Sequence, residues 1–74
     1  MILNIENPFK KLRVRLFELK ISQISLAKST GIHPTHVSEI LNGIRIPNET
    51  QVESIFKALD EMKVEYSDIF EGQK

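Results

Sequence analysis

Short polar side chains dominate residues 33–42, where only a few apolar residues separate them. They carry imidazole, hydroxyl, carboxylate and amide groups: His33, Thr35, His36, Ser38, Glu39 and Asn42. Groups of these kinds form hydrogen bonds with phosphate oxygens and with the edges of nucleic-acid bases. A threonine can present its methyl group to thymine or its hydroxyl to a base edge. A glutamate can accept a hydrogen bond from the amino group of cytosine.

Metal binding and catalysis fit this stretch less well. His33 and His36 are three residues apart, but two histidines need at least one further ligand, and no cysteine or local carboxylate completes a plausible set. The chain also lacks a nucleophile–base pair, a carboxylate pair and a glycine-rich phosphate loop. We therefore expect neither enzymatic activity nor a bound metal or cofactor.

Two helical patterns position the polar residues. The second begins at Pro34 and carries apolar residues at the i, i+3, i+4 spacing of one buried helix face: Val37, Ile40 and Leu41. This spacing leaves the polar residues facing solvent. A shorter helical pattern precedes it, with three inward candidates: Leu26, Ala27 and Thr30.

The link between the two patterns has its own requirements. Ala27 must be small if the two helices cross closely at that point. Gly31 can adopt the left-handed conformation that ends a helix and turns the chain sharply. Ile32 then enters the core and fixes the angle between the helices. These features specify a helix-turn-helix, in which the second helix is held out to enter a DNA major groove.

The motif extends beyond the turn and resembles a known family. Residues in a single register resemble the phage-repressor and Cro-like family of XRE-type regulators: Gln23, Leu26, Ala27, Gly31, Ile32, Val37, Ser38, Asn42, Gly43 and Pro47. The resemblance covers about residues 8–70. It implies an all-α, five-helix, lambda-repressor-like domain with a central helix-turn-helix, which binds a double-stranded DNA operator. We expect one domain over residues 1–74, with an arm at 1–6 and a tail at 71–74.

Position and side-chain chemistry suggest roles for individual residues, and for Gln23 and Asn42 the resemblance implies them. Five residues of the second motif helix are expected to read bases: Pro34, Thr35, His36, Ser38 and Glu39. Four others are expected to contact phosphates: Gln23, His33, Asn42 and Arg45. Glu39 is ambiguous, because its carboxylate would read cytosine but would also be repelled by neighbouring phosphates.

The charge distribution is compatible with a DNA partner, although the formal net charge is zero. Residues 1–47 hold seven basic and three acidic residues, so 7 − 3 = +4, whereas residues 48–74 hold three basic and seven acidic, so 3 − 7 = −4. Such a polarised protein can turn its basic end toward phosphates. The same separation also arises by chance in small helical domains.

Capping and apolar spacing predict the remaining elements. We expect helices near residues 8–20, 22–30, 34–42, 48–62 and 66–71. The expected N-caps are Asn7, Ser22, His33 and Asn48, with Gln51 completing a capping box at the last of them. The first helix is expected to bury Phe9, Leu12, Leu16 and Leu19, with Val14 and Phe17 widening its apolar face.

Composition limits the setting in which the chain works. It has 74 residues, no cysteine and no apolar run of the length that spans a bilayer. We expect a soluble, cytoplasmic protein without disulfides or a membrane partner.

Several apolar residues could mediate self-association of the chain. One recognition helix reads only a few base pairs, so we expect a homodimer, at least on DNA. Apolar residues that the core does not need could form the contact: Ile44 and Ile46, which we favour, or Ile2, Leu3 and Ile5. Ile44 and Ile46 also fit an alternative, a protein-interaction module or antitoxin component on the same scaffold. Its partner would be a toxin or an anti-repressor.

Overall fold

The computed structural model describes residues 7–70, which are all-helical. The helices are α1 (Pro8–Glu18), α2 (Gln23–Thr30), α3 (Pro34–Leu41), α4 (Glu49–Glu61) and α5 (Ser67–Phe70). The all-α prediction is confirmed, and each predicted helix exists with slightly narrower bounds. The dimer candidates Ile2, Leu3 and Ile5, the rest of the arm and the tail at 71–74 lie outside the described residues. None of the helices in residues 7–70 has the length and apolarity to span a bilayer.

The predicted N-caps satisfy the first backbone N–H groups of their helices. Asn7 Oδ1 accepts from the Phe9 N–H at 2.8 Å, and Ser22 Oγ accepts from the Ser25 N–H at 3.0 Å. At α4 the capping box is complete, because Asn48 and Gln51 each accept from the other's backbone N–H, at 2.8 and 3.1 Å. Helices α1, α2 and α4 therefore begin where local hydrogen bonds dictate.

Three helices end in the same hydrogen-bonded turn, and each turn contains a residue with positive φ. These residues are Lys20, Gly43 and Lys63, with φ of 63°, 78° and 60°. In each case their own N–H and the next N–H bond back to the last turn of the helix, as in the Schellman motif. The chain thus leaves the helical path within two residues of the end of α1, α3 and α4.

The core lies among all five helices and contains only apolar residues among those described. Its buried members are Phe9, Leu12, Leu16, Leu26, Ala27, Val37, Ile40, Leu41, Ile55, Ala58, Leu59, Val64 and Ile69. Ile21, Ile32 and Val52 pack against this set from its edge. The α2 and α3 faces expected to point inward therefore do so.

The prediction for the apolar face of α1 was partly wrong. Leu19 is 49% exposed, because it is the C-cap of α1 and the chain turns away directly after it, at Lys20 with φ of 63°. Val14 and Phe17 are 51% and 82% exposed and do not widen the buried face. Val64, in the turn after α4, is buried and was not expected in the core; its N–H bonds back to the Leu59 carbonyl oxygen.

Helix α5 is short and is held by contacts with α1 and α4. Phe70 meets Phe9 and Phe56 edge to face, with ring centroids 5.1 and 5.0 Å apart. Arg15 of α1 forms an ion pair with Asp68, Nη2 to Oδ2 at 2.8 Å. This hydrogen bond holds the pKa of the Asp68 carboxyl below its usual value. These contacts hold α5 against α1 and α4.

Enlarging Ala27 should disrupt the packing of α2 against its neighbours. Ala27 is buried, and α2 packs on both α3 and α4, so Ala27→Leu is expected to lower the free energy of unfolding by about 1–3 kcal/mol. Denaturant unfolding followed by circular dichroism measures this. Ser29→Leu, at an exposed position of the same helix, is the control and should leave stability nearly unchanged. Equal effects in the two variants would show that Ala27 occupies no tight crossing.

Candidate nucleic-acid interface

The turn between α2 and α3 is fixed by hydrogen bonds to one carbonyl. Gly31 has φ of 79°, and its N–H donates to the Ala27 carbonyl oxygen at 2.8 Å. The Thr30 hydroxyl donates to the same oxygen at 3.1 Å and accepts from the Ile32 N–H at 3.1 Å. Thr30 therefore ties the last turn of α2 to the first residue after the glycine.

This role of Thr30 was missed by sequence reasoning, which assigned the residue only to the inner face of α2. The available signal was its position directly before the glycine that ends the helix. From there a threonine hydroxyl can reach a carbonyl one turn back and an N–H beyond the turn. Ile32, held by this bond, packs against the edge of the core as expected.

Helix α3 has one buried and one outward face. Val37, Ile40 and Leu41 are essentially inaccessible to solvent. The five residues assigned to base reading all lie on α3: Pro34 and Thr35 are exposed, while His36, Ser38 and Glu39 are half-buried. The structure thus brings these five residues together on a helix whose opposite side is anchored in the core.

A family model described as helix-turn-helix matches residues 9–67, which is most of the chain. The protein belongs to the Cro-like, XRE-type helix-turn-helix family. This is a family of DNA-binding transcription regulators. Comparisons with curated proteins and with solved structures found no match.

The first turn of α3 in this XRE-type domain is capped by an imidazole. His33 Nδ1 accepts from the Thr35 N–H at 3.1 Å. This bond requires a ring that is unprotonated at Nδ1, which leaves the Nε2–H free to donate, for example to a phosphate oxygen. His33 and His36 have ring centroids 5.7 Å apart. Within residues 7–70, no group of three His, Cys, Asp or Glu side chains is arranged to hold a metal ion.

The amide of Asn42, a candidate phosphate ligand, is turned back onto α3. Its Nδ2 donates to the Ser38 carbonyl oxygen at 2.8 Å and to Ser38 Oγ at 3.3 Å. Asn42 therefore caps the C-terminal end of the helix. Its amide donors must leave Ser38 before they can bind a phosphate.

Arg45 and Glu39 form an ion pair on the outer side of α3. Arg45 Nε donates to Glu39 Oε1 at 2.7 Å, and both side chains are partly exposed. The Glu39 carbonyl oxygen also accepts from the backbone N–H groups of Ile44 and Arg45, at 2.9 and 3.2 Å. Sequence reasoning assigned separate roles to the two charges, but the structure places them in contact.

Gln23, the remaining phosphate candidate, is the first residue of α2 and is half-buried. The N–H groups of a helix's first turn have no partner within the helix and carry a partial positive charge. A glutamine at this point can add its own amide donor to them. The position suits a phosphate contact at the edge of the motif.

The loop after α3 combines a tight backbone with exposed apolar side chains. Ile44 and Ile46 are 76% and 92% exposed. At Gly43, a Cβ atom would come within 2.9 Å of Lys10 Cε and 3.3 Å of Asn7 Nδ2. The beginning of α1 therefore lies directly against this loop, a contact that sequence reasoning missed and for which the sequence carries no local signal.

Replacing Thr30 should loosen the turn that orients α3. Thr30→Val keeps the shape but removes the hydroxyl, which leaves the Ile32 N–H without its partner, and the expected loss of stability is about 1–3 kcal/mol. Thr30→Ser retains the hydroxyl and should lose much less. Unfolding curves of the two variants provide the comparison. If serine and valine were equally destabilising, the hydroxyl bonds would not hold the turn.

Proposed function

We propose that the protein is a sequence-specific transcriptional repressor that acts by occupying a DNA operator as a dimer. The observation that carries this proposal is the outward face of α3, which presents polar residues while its opposite face is fully buried. A helix anchored in this way can enter a major groove without rearranging the core. Occupancy alone can block transcription, so the proposed mechanism requires no ligand and no catalysis.

The exposed side chains of α3 are suited to reading base edges. Thr35, in the first turn, offers a hydroxyl and a methyl group, and recognition helices contact bases mainly through their N-terminal residues. Ser38, a half-buried residue, lies one turn further along and carries a hydroxyl. Glu39 can accept from the amino group of cytosine. Pro34 and His36 complete the proposed reading surface.

The residues around this surface are suited to positioning it on the backbone. Gln23 at the start of α2 and His33 at the start of α3 each offer a donor beside a helix N-terminus. Arg45 adds a positive charge after α3. Contacts of this type fix the register of a protein on the duplex but carry no sequence information themselves.

Selection of bound duplexes from a random-sequence pool tests the proposal. We expect one enriched motif for the wild type. Thr35→Ala should change the tolerated base at one position, with discrimination altered by about 1–3 kcal/mol. Gln23→Ala should instead weaken binding evenly across sequences, because it removes a phosphate contact. An equal loss on every duplex for Thr35→Ala would show that this side chain touches only backbone.

Dimerisation on DNA is proposed to use Ile44 and Ile46. Both side chains protrude from the loop next to the candidate interface and contribute nothing to the core. In a symmetric dimer the same patch meets its own copy, and two half-sites would lie about 34 Å apart. The patch is small, so we expect the free protein to be mainly monomeric and to pair on DNA.

Placing charges on this loop should separate the apolar dimer contact from attraction to phosphates. Ile44→Lys with Ile46→Lys adds attraction to phosphates but removes the proposed apolar contact, so binding to a palindrome should become weaker and lose cooperativity. Val14→Lys with Phe17→Lys adds the same charge at exposed apolar positions of α1 and serves as the control. Titrations on full and half palindromes give the cooperativity. Tighter cooperative binding by the loop variant would exclude this interface.

A protein-interaction module, such as an antitoxin component, is the second candidate. The observation that favours it is the number of large apolar side chains left exposed within residues 7–70: Val14, Phe17, Leu19, Ile24, Ile44 and Ile46. Apolar groups that form a contiguous exposed patch often mark protein contacts, and Ile44 and Ile46 lie on one loop. Failure of the random-pool selection to enrich any motif, with the protein folded, would favour this function over operator binding.

A further inference from the structure

Glu39 and Arg45 each have a proposed DNA partner, yet in the free protein they are partners of each other. The 2.7 Å contact joins Arg45 Nε to Glu39 Oε1 and so pairs the two charges that are proposed to meet a phosphate and a base. The carbonyl oxygen of Glu39 also binds the backbone of the loop that carries Arg45. These main-chain bonds hold the backbone of Arg45 next to that of Glu39, so the two side chains start from neighbouring points.

Binding DNA changes the balance of this pair. With the pair closed, the two charges compensate each other, and the protein approaches the phosphates without a net charge at this point. With the pair open, Arg45 gains a phosphate, but the Glu39 carboxylate is left close to other phosphates, which repel it. A hydrogen-bond donor on a base edge removes that penalty, and the amino group of cytosine is such a donor in the major groove.

We infer that Glu39 and Arg45 form one coupled specificity element, closed in the free protein and on non-cognate duplexes and open only where a cytosine amino group faces Glu39. This inference rests on the proposed function and names the base class that the site would require. On a cognate operator the arginine gains a phosphate and the glutamate gains a base. On other duplexes Arg45 stays paired with Glu39 and makes no phosphate contact. Glu39 therefore favours cognate DNA in two ways: it binds the base there, and it keeps Arg45 from binding phosphate elsewhere.

Neutralising the glutamate tests the coupling. Glu39→Gln should release Arg45 on any duplex. One additional phosphate contact steepens the slope of log affinity against log salt by about 0.9, which corresponds to roughly 8-fold tighter binding to a random-sequence duplex at 0.1 M salt. The preference for the selected operator over that duplex should fall correspondingly. Fluorescence anisotropy titrations at several salt concentrations give both quantities.

A double-mutant cycle separates release of the arginine from a simple loss of negative charge. Glu39→Gln is compared in the wild-type background and in Arg45→Gln. Relief of repulsion tightens binding to both duplexes in either background, so the quantity to compare is the preference for the operator. If Arg45 is released together with base reading, Glu39→Gln should lower that preference about 8-fold more in the wild-type background than in Arg45→Gln, where only the base contact is lost. An equal fall in both backgrounds would mean that Glu39 acts without Arg45, and the coupling would be overturned.

The pairing of Glu39 with Arg45 in the free protein can be measured independently of DNA. In NMR spectra, the Arg45 Nε–H resonance should shift when Glu39 becomes Gln, whereas the Arg15 resonance, whose partner is Asp68, should not. An unmoved Arg45 resonance would overturn the closed pair whatever the DNA results. Absence of wild-type binding to both duplexes would overturn the proposed function itself and the coupling with it. Normal wild-type binding with an unaffected Glu39→Gln variant would overturn the coupling alone.

Discussion

The arrangement of the domain depends on Ala27, through its side chain and its carbonyl group. The small buried side chain lies on α2, the helix that packs on both α3 and α4. The carbonyl oxygen accepts from the Gly31 N–H and from the Thr30 hydroxyl. One residue therefore helps to set both the approach of the helices and the turn between them. The orientation of the outward face of α3 follows from these two constraints.

Local features of the sequence predicted most of the fold. Asn7, Ser22 and Asn48 began helices as their cap chemistry requires, and Gly31 ended α2 with the left-handed conformation. These outcomes depend on bonds between residues close in sequence. The alternation of Val37, Ile40 and Leu41 with polar residues likewise defined the buried face of α3. Such signals need no knowledge of the tertiary structure.

The errors and omissions arose where structure is decided by more distant or less periodic contacts. Leu19 continued the apolar spacing of α1, but the Schellman turn ended the helix one residue earlier, and a lysine occupies its left-handed position instead of the usual glycine. The Glu39–Arg45 pair and the approach of Lys10 to Gly43 depend on how the loop after α3 folds back. Spacing along a single helix does not reveal such contacts.

The charges of the candidate interface have to be considered as they are paired in the folded chain. By residue count, the first part of the sequence is strongly basic. In the structure, Arg15 is engaged by Asp68 and Arg45 by Glu39. Attraction to phosphates therefore depends on which cations can exchange their carboxylate partner for DNA. In such a small domain, specificity can reside in these exchanges as well as in direct base contacts.

Gly31 and Gly43 differ in the substitutions that they can tolerate. Both have positive φ, but a side chain at Gly31 would meet no atom within 4 Å, whereas one at Gly43 would meet Lys10 and Asn7. Position 31 is thus limited only by backbone conformation, which asparagine tolerates. A Cβ at position 43 would in addition require the ends of the Lys10 and Asn7 side chains to shift. Residue 31 can therefore be substituted at the cost of backbone strain alone, whereas a substitution at residue 43 also displaces side chains at the start of α1.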